Sequence, residues 1–316
     1  MAVRWGLLST ARINQLVLAG ARLSDRVEVT AVASRDRDRA VAYAREHELE
    51  RAHGSYDELL ADPELDAIYV PLPNSLHVEW TLRALTAGKH VLVEKPLSRH
   101  PSEVERVFDA AEDAGLVVSE AFMWRHHPQT KRLAALVAEG AIGRLRHVRA
   151  AFRFGLSRTV DIRLLTELDG GALMDVGCYC VSAARLVAGE PEHVSGAQVL
   201  GESGVDLEFT GTLRFAGDVA ADFECAFVPP ARGDLEVTGD DGVLYVTEAW
   251  HPRSDGIELR RPGHEPEQKT VPAANAYQLE LENVSDAIRG EAPLLLGRED
   301  ALGQARTIEA LYEAAA

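Results

Sequence analysis

Cysteine is scarce in this chain, and basic charge falls well short of acidic charge. Only three cysteines, Cys178, Cys180 and Cys225, occur among 316 residues. Three cannot all pair with one another, so a disulfide framework is excluded and a reducing, cytoplasmic setting is expected. Cys178 and Cys180 flank Tyr179 in a stretch that reads as a helix, where residues two apart point to nearly opposite sides and make a poor metal pair. All three read as packing residues. Lys and Arg number 33 against 50 Asp and Glu, a net charge of −17. Such a balance repels nucleic acid and anionic membranes, while leaving room for a local positive pocket that takes a phosphate. No signal-peptide run opens Met1-Ala2-Val3-Arg4-Trp5, and no stretch reads as the roughly 20 apolar residues of a membrane span. Internal repeats and low-complexity tracts are absent too.

What is present suits two domains. The length exceeds that of the usual single domain, and 46% hydrophobic residues suffice for sizeable cores. Up to about residue 120, short apolar strands alternate with helical patterns: Val3 to Leu8, Val27 to Ala33, a short segment at Ala52-His53-Gly54, Asp66 to Val70, His90 to Val93 and Leu116 to Glu120. That alternation predicts a doubly wound parallel sheet of the Rossmann type. Ser9-Thr10 can cap a first helix running to about Leu23. The glycine-rich phosphate fingerprint is incomplete: Gly6 and Ala11 fit it, but Leu8 stands at the second glycine. Ser9 and Ala11 are small enough to let a phosphate approach the backbone, with Thr10 and Ile13 beside them. After the second strand come Ser34 and Arg35, a hydroxyl and a guanidinium suited to a 2′-phosphate, and hence to NADP. Asp36, one residue later, keeps NAD open, because an acidic residue in that region binds the ribose hydroxyls. The other reading makes Ser34 a helix cap and leaves Arg35 in solvent.

One stretch concentrates the chemistry. His90-Val91-Leu92-Val93-Glu94-Lys95-Pro96 looks like a buried strand that delivers charged groups at its carboxyl end, where ligands of open α/β sheets bind. Pro96 restricts Lys95 and stands at the only common kind of cis peptide. The plain alternative is a surface lysine paired with Glu94. Pro71-Leu72-Pro73-Asn74 forms a rigid turn at the same edge. His77, opening the next helix, either reaches a cofactor or packs.

From Ala121 the pattern changes. Phe122-Met123-Trp124-Arg125-His126-His127-Pro128 is an aromatic and basic cluster. Trp124 reads as core or cofactor contact, Arg125 as a ligand for a substrate or cofactor oxygen, and metal is not expected at the paired histidines. A helix over 130–139 follows. Strands at 145–154, 194–200, 207–215, 219–228, 235–238, 242–247 and 257–260, parted by Gly, Pro and Asp, read as an antiparallel meander. The expected division is therefore 1–120 and 121–316, with a terminal helix free to pack back on the first domain. Amid the strands, Gly170-Gly171 open a helix carrying Asp175 and Tyr179, four apart and so on one face. A carboxylate and a phenol on an apolar helix need partners. A lysine cation would lower the phenol's pKa, whereas an Asp–Arg pair and a core tyrosine are the bland reading.

These motifs together, Trp5-Gly6 through Ile13, Pro73-Asn74 to His77, Glu94-Lys95-Pro96 and Gly170-Gly171 to Tyr179, resemble the Gfo/Idh/MocA family of NAD(P)-dependent oxidoreductases over nearly the whole chain. Tyrosine at position 179, with the 121–128 cluster, is similar to its D-xylose dehydrogenase and dihydrodiol dehydrogenase branch. The resemblance implies a Rossmann domain followed by an α+β domain whose open, mostly antiparallel sheet assembles homodimers or homotetramers. It implies a sugar, polyol or related diol as substrate, with Lys95 working at the substrate oxygen beside a cis proline bond and Asp175 binding substrate. Tyr179 then acts as acid/base with Lys95 as its electrostatic partner, or the two exchange these roles. The cofactor residues it implies are Gly6, Ser9, Thr10, Ala11, Ile13, Ser34, Arg35, Pro71, Leu72, Asn74, His77, Glu94, Lys95, Trp124 and Arg125. A ketoreductase of nucleotide-linked deoxysugars and a silent NADP-sensing regulator are the rivals.

Overall fold

A computed structural model describes residues 1–156 and 161–316. The chain divides into two compact units, residues 1–123 with 275–302, and residues 124–274 with 303–316. The C-terminal segment is thus shared between the units; the sequence reading placed the boundary after residue 120 and let a terminal helix pack back on the first domain.

In the first unit the parallel strands β1 (Val3–Leu7), β2 (Val27–Ala33), β3 (Arg51–His53), β4 (Ala67–Val70), β5 (His90–Val93) and β6 (Val118–Glu120) lie in the order β3-β2-β1-β4-β5-β6. Between them run α1 (Asn14–Ala21), α2 (Arg37–His47), α3 (Tyr56–Leu60), α4 (His77–Thr86) and α5 (Pro101–Ala114). Strand order reverses between β1 and β4, and in open α/β sheets that switch point, outside the strands' carboxyl ends, is where ligands bind. Strand β4 is buried throughout, and β5 in three of its four residues. Uninterrupted apolar runs are what a strand covered on both faces requires.

The first helix differs from expectation. It begins at Asn14, with Ile13 at its N-cap and no side-chain cap. Ser9 instead closes the preceding turn: its hydroxyl accepts from Ala11 N at 3.2 Å and donates to Pro71 O at 3.2 Å. One element from the far end of the chain, α8 (Ala276–Ile288), completes this unit. Leu281 and Val284 lie in its core beside Trp5, Val17 and Leu18, and the Trp5 indole donates to Ser285 Oγ at 3.2 Å.

The second unit contains α6 (Pro128–Ala138), β7 (Leu145–Arg153), α7 (Cys178–Ala188), β8 (His193–Leu200), β9 (Asp206–Phe215), β10 (Val219–Ala226), β11 (Leu235–Gly239), β12 (Val243–Val246), β13 (Ile257–Arg260) and β14 (Glu267–Lys269). Helix α9 (Arg298–Ala314) begins in the first unit and ends here. The eight strands form one sheet, β14-β13-β12-β11-β7-β10-β9-β8, antiparallel except where β7 and β10 pair in parallel. β14, short and exposed, carries no apolar alternation by which the sequence would betray it. Within Thr166–Ala188, an 18-residue window with mean hydropathy 1.3 is apolar enough by composition to cross a membrane, which the sequence reading missed; 78% of that window is buried inside the protein. It is a core segment, interrupted at Gly170-Gly171.

Candidate active site

Three strand ends build the first cluster. Leu8 N bonds to Tyr69 O and Glu94 N to Val70 O, so the residues after β1, β4 and β5 are tied into one edge. Gly6 lies within β1, where an added Cβ would meet Leu65 Cδ1 at 2.7 Å; its role is close packing beneath that edge. The amides of Thr10, Arg12 and Ile13 have no acceptor among the described residues, and Ala11 between them is small. Unpaired amides entering a helix suit a diphosphate, so the missing second glycine does not remove the cradle. At the end of β2, Ser34 is buried and its Oγ accepts from Asp36 N at 3.2 Å, while Arg35 is exposed. Asp36 caps α2, its carboxylate accepting from Arg39 N at 3.1 Å. The helix cap is therefore Asp36 and not Ser34. One oxygen of Asp36 is thus engaged by the helix, and the exposed Arg35 is available to a 2′-phosphate.

Glu94 and Lys95 follow β5, both half-buried, and the Lys95–Pro96 bond is cis. Glu94 accepts from the Tyr69 hydroxyl at 2.5 Å. Burial first, and the Glu94 charge second, hold that phenol well above its usual pKa, so it stays a donor. Tyr277 and Glu280 of α8 face the same group: burial pushes both upward, Tyr277 with Glu94 as the next cause, and Glu280 strongly. Glu280 is 1% exposed and its Oε1 has no hydrogen-bond partner among the described residues. Neither Tyr69 nor Glu280 was singled out from sequence. Tyr69 is hidden in a uniformly apolar strand, and Tyr277 and Glu280 come from a helix about 180 residues downstream of Glu94.

The turn after β4 is braced from beneath. His77 is fully buried, with Nδ1 2.8 Å from Pro96 O and Nε2 2.8 Å from Leu72 O. A ring set between two main-chain carbonyls ties the Pro71-Leu72-Pro73 turn to the Lys95-Pro96 turn, which is the packing alternative for this histidine. Asn74 opens the single turn before α4.

The second cluster lies in the second unit. Leu173–Gly177 forms a π-helical turn that runs into α7, and it carries Asp175; Tyr179 is in the first turn of α7. Such turns inside helices recur at functional sites. Asp175 Oδ2 accepts from Arg163 Nε at 2.6 Å, so the Asp–Arg pair exists. Asp175 keeps 18% of its side chain exposed and Arg163 keeps 39%. Tyr179 is half-buried against Phe152 and Trp250, whose ring centroids lie 5.4 and 5.8 Å away. Trp124 packs edge-on against Trp250 at 5.4 Å and is 1% exposed. Its face is thus core, as the alternative reading had it. Arg125 donates to Ser182 Oγ at 3.0 Å. His126 is buried and held neutral, its pKa lowered to about 3 by burial and then by Lys131 and Arg125, while His127 caps α6 by accepting from Gln129 N at 3.0 Å. Among the described residues no group of three His, Cys, Asp or Glu could hold a metal.

A parallel sheet in this strand order, open amides after its first strand and a charged pair after its fifth define a dinucleotide-dependent oxidoreductase. Residues 3–122 match the Gfo/Idh/MocA model of an oxidoreductase family with an NAD-binding Rossmann fold, and residues 130–245 match that family's C-terminal domain. The chain belongs to the Gfo/Idh/MocA family. It is 39% identical over 316 residues to D-xylose 1-dehydrogenase (NADP(+)) 2 of Haloferax volcanii, covering 98% of this chain and 97% of that protein. It is 35% identical to trans-1,2-dihydrobenzene-1,2-diol dehydrogenase of Xenopus laevis over 259 residues, 80% of this chain and 78% of that one. A 3-ketoreductase from Actinomadura kijaniata, solved in complex with NADP and TDP-benzene, matches with a TM-score of 0.93 and 32% identity, covering 100% of this chain and 98% of that one.

Proposed function

We propose that the protein is an NADP-dependent dehydrogenase of aldoses such as D-xylose, or of closely related polyols and diols. Full-length similarity to a D-xylose dehydrogenase is the observation that carries this reading. The commitment of Asp36 to its helix cap, with Arg35 left exposed, favours NADP over NAD. When bound, the dinucleotide accepts a hydride from the substrate carbon, or returns it. In the oxidative direction the hydroxyl proton passes to the Tyr179 oxygen as the substrate C–H bond breaks toward the nicotinamide; in reduction the phenol gives that proton back. Lys95 holds a substrate oxygen. Asp175, fixed by Arg163, accepts a hydrogen bond from a neighbouring sugar hydroxyl.

Initial rates with NADP+ and a panel of aldoses, polyols and diols test the reading. Turnover of a pentose or hexose with NADP+ supports it; activity only with NADPH and a TDP-linked ketosugar overturns it in favour of the reductase, the reading that the TM-score of 0.93 to a 3-ketoreductase supports. No turnover with any of them would leave a dinucleotide-sensing regulator. The exposed face of the second sheet, with Arg149, Ser195, Thr210, Thr212 and Asp222 around a depression of about 490 Å³, suits pairing with a second copy in a homodimer or homotetramer. Three buried cysteines, none in a disulfide among the described residues, suit a cytoplasmic location.

A further inference from the structure

The double glycine before the π-helical turn has a structural cause that lies elsewhere in the second unit. A Cβ on Gly170 would come within 2.3 Å of Arg163 O, and one on Gly171, where φ is +125°, within 2.2 Å of Asp206 Oδ1. Asp206 is the first residue of β9, 33 positions away from Leu173, and is 2% exposed. Its Oδ2 accepts from Leu173 N at 2.7 Å, and its Oδ1 accepts from the Tyr312 hydroxyl of α9 at 2.9 Å. The Ala172 amide also reaches the carboxylate. Asp175 N then bonds to Gly171 O at 3.0 Å, one turn on. A strand carboxylate thus satisfies the open amides of the turn on which Asp175 rides and from which Tyr179 follows.

We propose that Asp206 is a positioning residue for the reaction: by capping this turn from β9 it fixes where Asp175 and Tyr179 are presented to substrate. The inference rests on the reading of those two residues as the substrate-handling pair. Asp206 acts through them and touches no reacting atom. The titratable groups that face it are Tyr312 from α9 and the Cys225 thiol from β10. Burial keeps that thiol neutral, because it pushes the Cys225 pKa well up. Burial likewise raises the Asp206 carboxyl to about 6, against the lowering by Leu173 N, Tyr312 and its own amide. As pH falls through that value, one oxygen takes a proton and can no longer accept from the donor it faces, so the cap weakens.

The test is the pH profile of kcat/KM with NADP+ and the aldose that the panel identifies, for wild type, Asp206→Asn, Tyr312→Phe and Tyr179→Phe. Wild type is expected to lose activity through a limb near pH 6. Asp206→Asn should have a lower plateau, by roughly tenfold or more, and no limb there. Tyr312→Phe removes a bond that lowers the Asp206 pKa, so its limb should move to higher pH. It is also the milder variant should Asp206→Asn fold poorly, with NADP+-dependent thermal stabilisation as the check on folding. An Asp206→Asn enzyme that keeps the wild-type rate, or that keeps the limb at the wild-type position, overturns the proposal while leaving the Tyr179 assignment intact. Full turnover in Tyr179→Phe overturns both.

Discussion

Lys95 shows at the residue scale what position adds to side-chain type. Its ammonium leaves a buried strand at the edge where a dinucleotide binds, next to a carboxylate already engaged by Tyr69. Lys95→Ala should lower kcat about 10²–10⁴-fold, far more than it weakens NADP+ binding measured by fluorescence titration. An unchanged kcat would remove Lys95 from the chemistry. Arg35 carries a separate expectation, because Asp36 is spent on the α2 cap. Arg35→Ala should weaken NADP+ binding about 10–100-fold, the cost of a lost charge-assisted contact, and leave NAD+ binding nearly unaltered. Equal losses for both coenzymes would show that Arg35 does not read the 2′-phosphate. Single residues divided into legible and illegible ones on physical grounds. Glu94, Lys95, Asp175 and Tyr179 stand out because charge and phenol interrupt apolar runs. Glu280 and Asp206 look like any carboxylates in the sequence, and only their burial, 1% and 2% exposure, distinguishes them.

Among the elements, α1 and α8 approach closely at Gly20. An added Cβ there would stand 2.6 Å from Gln278 N and 2.9 Å from Tyr277 Cβ. Helix propensity alone says that Gly20→Ala should stabilise by up to about 1 kcal/mol. The close approach reverses the sign, and a loss of about 1–3 kcal/mol is expected in urea denaturation. A gain in stability would mean that α8 is not seated as described. Most strands were readable from apolar runs and alternation, within a residue or two of their observed ends. The start of α1 was not, since Ser9 looks like a cap in sequence but folds back onto its own turn. Nor was the π-helical turn at Leu173–Gly177 readable, because the extra residue is accommodated by contacts from β9 and α9.

For the whole molecule, ligand binding and net charge give the measurable consequences. A dinucleotide that binds only the folded chain raises its stability by about 2.7 kcal/mol at a hundred times Kd. A thermal-shift titration should therefore show the melting temperature rising with NADP+, and rising less with equal NAD+. No shift with either would contradict a competent dinucleotide site. The net charge of −17 leaves phosphate attraction to local features, such as Arg35 and the free amides near Ala11, and not to a global field.

The order of apolar runs, turn residues and the Glu-Lys-Pro stretch by itself determined a parallel sheet, an antiparallel one and the edge where chemistry belongs, because hydrophobic periodicity and strand ends are local properties. Only the tertiary structure decided that 275–302 completes the first unit, that Asp36 serves its helix, and that Glu280 and Asp206 are buried among partners. Those outcomes depend on contacts between segments far apart in the chain, and desolvation acts on a carboxylate only once the rest of the fold has closed around it.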